Sequence, residues 1–140
     1  MRQVCAALLL FVVGVAQAQN TPVGVWKTID DDTNREKSWV RIREASGIVS
    51  GTVDKLIDAS EQDAVCEKCS DGRRGQRIVG MSIIDGLTHV DDVWEGGHIL
   101  DPDNGKLYRV RLKPIDEGRK LEVRGYLGPF FRTQTWIRVE

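Results

Sequence analysis

The chain is poor in the residues that build metal and nucleophile chemistry. In 140 residues it has two histidines, His89 and His98, and three cysteines. A structural zinc site takes four ligands of such types. The one close pair, Cys66-Glu67-Lys68-Cys69, has no second pair to complete it. No metal and no cofactor is therefore expected. No serine or cysteine stands in a nucleophile motif with histidine and acid partners, and no glycine-rich loop of the phosphate-cradling kind is present. No catalytic residue is assigned. An excess of one charge is also missing: 20 basic residues stand against 21 acidic ones. Nucleic-acid partners usually demand a basic field, so this balance argues against them. Helical stripes with caps are absent as well. Nothing in the sequence assigns an oligomeric state.

The first 18 residues differ from the rest. Met1-Arg2-Gln3 carries one positive charge, Cys5 to Val15 is apolar and uncharged, and Ala16-Gln17-Ala18 supplies small residues two apart. A basic start, a short greasy segment and a small-x-small cut site are the parts of a secretory signal peptide. The apolar run is about half the ~20 residues that a bilayer-spanning helix needs, and no later stretch reaches that length. The expectation is a signal peptide over 1–18 and a single domain over 19–140, periplasmic or secreted, with no transmembrane segment in the mature chain. Cleavage would remove Cys5 and leave Cys66 and Cys69 as an even pair in an oxidising compartment.

From Gly24 onward, turn residues cut the chain into short pieces. Between them apolar positions follow period two, and Val, Ile, Trp and Thr are frequent, which is strand chemistry. Eight strands are predicted: Gly24–Ile29, Lys37–Glu44, Ile48–Ile57, Ile78–Ile84, Val93–Leu100, Leu107–Pro114, Lys120–Leu127 and Thr133–Val139. Ala45-Ser46-Gly47, Asp103-Asn104-Gly105 and Asp116-Glu117-Gly118 read as hairpin turns, the second as type I′. Short turns favour sequential antiparallel neighbours, and closing such a sheet removes its edges. The predicted fold is all-β: one antiparallel up-and-down β-barrel of about eight strands, lipocalin-like, with a two-sheet sandwich as the alternative.

Alternation also predicts faces. Val40 and Ile42 oppose Trp39, Arg41 and Arg43. Tyr108, Val110 and Leu112 oppose Leu107, Arg109 and Arg111. In the last strand Thr133, Thr135, Ile137 and Val139 oppose Arg132, Gln134, Trp136 and Arg138. The simplest reading puts the aliphatic faces inside and the arginines outside. The alternative turns an Arg/Trp/Gln face inward as a polar pocket for an anion, at the cost of burying guanidinium groups. Asp30-Asp31-Asp32 reads as a solvated turn, and His98 as a strand residue beside a bulge at Gly96-Gly97.

Gly24-Val25-Trp26 looks like the Gly-x-Trp of lipocalin-like proteins, in which an arginine from near the last strand packs on the indole. A tryptophan there plugs the barrel, and a guanidinium over its face adds cation–π attraction. Arg132 and Arg138 are the candidate partners. Together with Asp63–Cys69, Ile78-Val79-Gly80-Met81, Trp94–Pro102 and Arg132-Thr133-Gln134-Thr135-Trp136, this motif resembles one family along essentially the whole mature chain. It is the domain of unknown function family 2147, small exported bacterial proteins. The resemblance implies a lipocalin-like or calycin-like barrel and small-molecule binding, and no reaction or catalytic residues.

Three functions follow as expectations. The first is a binding module for a small apolar or amphipathic molecule, with Trp39, Tyr108, Val40, Ile42, Val110 and Leu112 as candidate ligand-binding residues. The second is a thiol–disulfide protein using Cys66 and Cys69, against the plainer reading of the pair as a disulfide clipping the long loop from Asp58 to Arg77. The third is a non-catalytic interaction protein with an apolar patch around Trp39, Trp136 and Pro129-Phe130-Phe131.

Overall fold

The computed structural model describes residues 20–140. The expectations for the signal peptide and Cys5 fall outside the described residues. Eight strands follow one another: β1 (Gly24–Ile29), β2 (Glu36–Ala45), β3 (Ile48–Leu56), β4 (Ser82–Val90), β5 (Val93–Leu100), β6 (Leu107–Ile115), β7 (Lys120–Leu127) and β8 (Phe130–Arg138). Each pairs antiparallel with the next, and β8 returns to β1 through Trp26 opposite Arg138 and Lys27 opposite Ile137. The result is the closed up-and-down barrel expected, and closure leaves no edge strand to cap. One turn of 3-10 helix, Ala59–Glu61, and one left-handed turn, Asp116–Gly118, interrupt the connections.

The turns explain why the hairpins form where they do. Ser46 and Gly47 both take positive φ (51° and 79°), as a two-residue turn between twisted strands requires. Asp116, Glu117 and Gly118 do likewise in succession. The β5–β6 turn departs from expectation. Only Gly105 has positive φ there, and the turn closes through bonds from the Gly105 and Asp101 N–H groups to the Asp101 and Lys106 carbonyls, so it is not type I′. The fourth strand also differs. It starts at Ser82, not Ile78, and runs on to a tight turn at Asp91-Asp92. Ile78 and Gly80 are held instead by loop bonds to Ala64 and Val53.

The interior is aliphatic and aromatic. Val40, Ile42, Val49, Val53, Ile84, Leu87, Val110, Leu112, Leu121 and Val123 are buried in one cluster with Trp26, Trp94 and Trp136. Each such side chain taken fully from water contributes about 1.5–3 kcal/mol before the entropy of ordering it is subtracted. The outer wall carries Arg41, Asp54, Arg111, Glu122 and Arg124 in ion pairs. That polarity is the reverse of a membrane barrel, which faces lipid with an apolar band. His89 lies flat on Trp94, ring centroids 4.0 Å apart.

The last strand overturns the face predicted for it. Trp136 is buried, while Ile137, Thr133 and Thr135 are exposed. Register is the cause. Leu121 stands opposite Trp136 and Val123 opposite Gln134, and directly opposed residues share a face of the sheet. Because Leu121 and Val123 point inward, Arg132, Gln134, Trp136 and Arg138 must as well.

Candidate functional site

One end of the barrel is plugged. The Trp26 ring is fully buried, and its Nε1–H donates to the Pro22 carbonyl at 2.8 Å. The Arg138 guanidinium lies over it, 4.2 Å from the ring centroid. Arg138 also donates to the carbonyls of Gly118 (2.6 Å), Val23 (2.9 Å) and Thr21 (2.7 Å). Burial pushes the Arg138 pKa down from its ordinary value. Gly24 makes this crossing possible: its φ is 144°, and a Cβ there would meet Arg138 and the Glu140 carbonyl. Of the two arginines considered for the plug, Arg138 occupies it. Arg132 is at the opposite end.

The other end is open. A cavity of about 320 Å³ enters the barrel there, lined below by Val40, Val53, Ile83, Leu100, Val123 and Trp136. This lies at the low end of the roughly 300–1,000 Å³ typical of small-molecule sites. Of the candidate ligand residues, Val40 and Tyr108 line it. Ile42, Val110 and Leu112 do not line it and are packed fully into the core. Trp39 is excluded for a different reason. It lies on the outer face of β2, where Lys55 Nζ sits 3.8 Å from its ring centroid and its indole N–H bonds Glu36.

Above the apolar floor the lining is polar. The Thr28 and Ser38 hydroxyls bond each other at 2.7 Å. Tyr108 accepts from Asn104 Nδ2 at 2.8 Å. A chain of bonds runs from Trp136 Nε1 to Gln134 Oε1 (3.1 Å), and from Gln134 Nε2 to Asp31 (2.8 Å). Five aspartates, Asp30, Asp31, Asp32, Asp101 and Asp103, share the mouth with Lys37 and Arg132. Arg132 reaches Asp31 at 3.4 Å and Asp101 at 3.5 Å, tying the β1–β2 and β5–β6 loops to β8. Lys37 bonds Asp103 and lies 3.6 Å from Asp30. Burial acts to lower the Lys37 pKa, but Asp103, Asp101 and Asp30 outweigh it and leave it raised. Asp30 is held below the ordinary carboxyl value, chiefly by the Thr33 N–H. The aspartate run read as a solvated turn is thus part of the rim.

The long β3–β4 connection flanks this mouth. Cys66 and Cys69 form a disulfide, and both are buried. The Cys66 N–H and C=O pair with Gln76 and Gly75, and Val65 bridges Arg77. Arg73 pairs with Asp71 and donates to the Ser82 carbonyl at 3.0 Å, anchoring the loop to the start of β4. The β5–β6 turn closes on this loop so tightly that a Cβ at Gly105 would strike the Lys68 carbonyl. Arg132 and Gln134 reach the mouth because β8 takes the inward Arg/Trp/Gln face, the alternative and not the favoured reading of the sequence. The two-residue Gly128-Pro129 turn held the signal: it sets Leu127 opposite Phe130 and so fixes every later pair.

Comparison with known proteins agrees with this geometry. A family model described as "Uncharacterized protein conserved in bacteria (DUF2147)" matches residues 24–138, the whole barrel. The chain belongs to the DUF2147 family. A solved structure, protein HP1028 from Helicobacter pylori, described as belonging to the lipocalin family, is similar in fold. Its TM-score is 0.73 at 22% identity, over 84% of this chain and 82% of that one. No curated protein matches. This DUF2147 chain therefore has a lipocalin-like barrel, and its chemistry is to be read from its own site.

Proposed function

We propose that this DUF2147 barrel is an exported binding protein for a small amphipathic molecule. The molecule's apolar body would sit on Val40, Val53, Val123 and Trp136, and its polar head among the charged groups of the mouth. One observation carries the reading: an open cavity of about 320 Å³ with an apolar floor and a polar rim, in a barrel sealed at its other end. Aspartates outnumber the cations at that rim, which disfavours an anionic head. The lipocalin-like fold supports the same reading, and the signal-like sequence at 1–18 supports work in the periplasm or outside the cell.

A thiol–disulfide role draws less support. Exchange needs a thiolate to reach a disulfide sulfur, and both cysteines are buried. Their place is better read as a clip on the loop beside the mouth. Titration with an apolar fluorescent probe such as N-phenyl-1-naphthylamine tests the binding reading. Saturable one-to-one binding, lost when Val53→Phe fills the cavity, is the expected result.

A further inference from the structure

The β7–β8 tip leaves large apolar groups in water. Phe130 is 76% exposed and Phe131 63%, with Leu127 beside them at 42%. They flank a two-residue turn, Gly128-Pro129, at the same end as the cavity mouth. Groups this exposed add little burial to the fold, and a hairpin tip of this kind marks a contact surface.

A basic groove lies on the outer wall just below. The β5–β6 register shifts between Trp94 and Gly97, and at this bulge a groove opens between Glu95, His98, Arg109, Arg111 and Tyr126. The Nε–H of Arg111 is buried there and has no acceptor among the described residues. Buried donors left unmet are uncommon and ask for a partner. Arg111 and Arg124 share Glu122 at 3.7 and 3.8 Å, and Arg109 has no carboxylate within ion-pair distance among the described residues. Groove and tip are continuous. Arg109 lies 5.6 Å from the Tyr126 ring, Tyr126 lies 6.2 Å from Phe131, and Arg124 lies 5.0 Å from Phe131.

We propose that this wall and tip form a docking surface for a bilayer containing anionic phospholipid, with headgroup phosphates received by Arg109 and Arg111 and Phe130 and Phe131 set at the acyl boundary. Charge complementarity selects this occupant. Arg109, Arg111, Arg124 and Lys113 stand on this wall against Glu95, Glu122 and Asp92, four cations to three carboxylates, and bilayer interfaces take aromatic groups together with a basic collar. The aspartates of the mouth are repelled by the same surface, so the barrel lies tilted onto β6–β8 with its mouth at the membrane edge. The proposal stands whether or not the cavity is filled.

Vesicle flotation tests it, using the chain purified from a host that exports it and variants prepared identically. Vesicles of phosphatidylcholine with phosphatidylglycerol should bind the protein, and phosphatidylcholine alone should bind it much less. Phe130→Ser with Phe131→Ser should weaken binding at least about tenfold. Arg109→Gln should weaken it about fivefold on anionic vesicles only. Phe130→Trp reads the tip directly: acyl chains carrying bromine should quench its added emission. Circular dichroism confirms that each variant is folded. Equal binding by wild type and the double serine variant, or no quenching of the added tryptophan, would overturn the proposal. So would a dimer abolished by the serine pair, which would make the tip a protein interface. Phosphate binding at Arg109 and Arg111 without vesicle binding would assign the groove to a soluble anion and overturn it too.

Discussion

Arg138 holds the closed end of the barrel by stacking on Trp26 while its three nitrogens donate to the Thr21, Val23 and Gly118 carbonyls. A lysine keeps the charge but loses the planar fork that serves separate acceptors. Arg138→Lys is expected to destabilise the fold by about 1–3 kcal/mol, read by urea unfolding, because carbonyls at the plug lose their donor. A variant as stable as wild type would show that the stack and fork contribute little.

The disulfide prediction rests on position. Cys66 and Cys69 enclose a very short ring, so the chain-entropy gain is small, but their burial ties the β3–β4 loop to the core. Replacing both with serine should lower stability by about 1–3 kcal/mol and leave the barrel folded. In a glutathione buffer the native bridge should stay closed, as mass spectrometry after alkylation would read. Ready alkylation of both sulfurs would return the pair to redox chemistry.

Asp71 supplies the pH dependence. Its side-chain bond to Arg73, then the Arg73 N–H, lowers its pKa from 3.8 to about 2. A depressed carboxyl favours the folded loop above the ordinary carboxyl range, and that contribution fades as pH falls through about 2. Carboxyl carbon NMR should give the Asp71 midpoint near 2, and Arg73→Gln should return it toward 3.8. A midpoint unchanged by that substitution would remove Arg73 as the cause.

Strand existence was legible because period-two alternation and glycine turns act locally. Three strands, Gly24–Ile29, Val93–Leu100 and Lys120–Leu127, have the bounds predicted. The fourth strand was misplaced because Ile78 to Met81 has strand-like composition, yet tertiary bonds to Ala64 and Val53 claim it for the loop. The plug was legible in Gly24-x-Trp26 because it sits beside one strand. The mouth was not, since it gathers Lys37, Asp31, Asp101 and Arg132 from β2, two loops and β8. The face of β8 misled because Ile137 and Val139 look inward by hydropathy, and only the pairing with Leu121 and Val123 reverses them. Tertiary register overrode a local pattern there.

The cavity at the open end is expected to take a small amphipathic molecule. Titration with N-phenyl-1-naphthylamine, wild type beside Val53→Phe, tests it most directly. Saturable one-to-one binding to wild type, little to Val53→Phe, and displacement more readily by an alkyl amine than by the fatty acid of equal chain length are expected. No saturable binding to the folded wild-type protein, or equal binding by Val53→Phe, would contradict it.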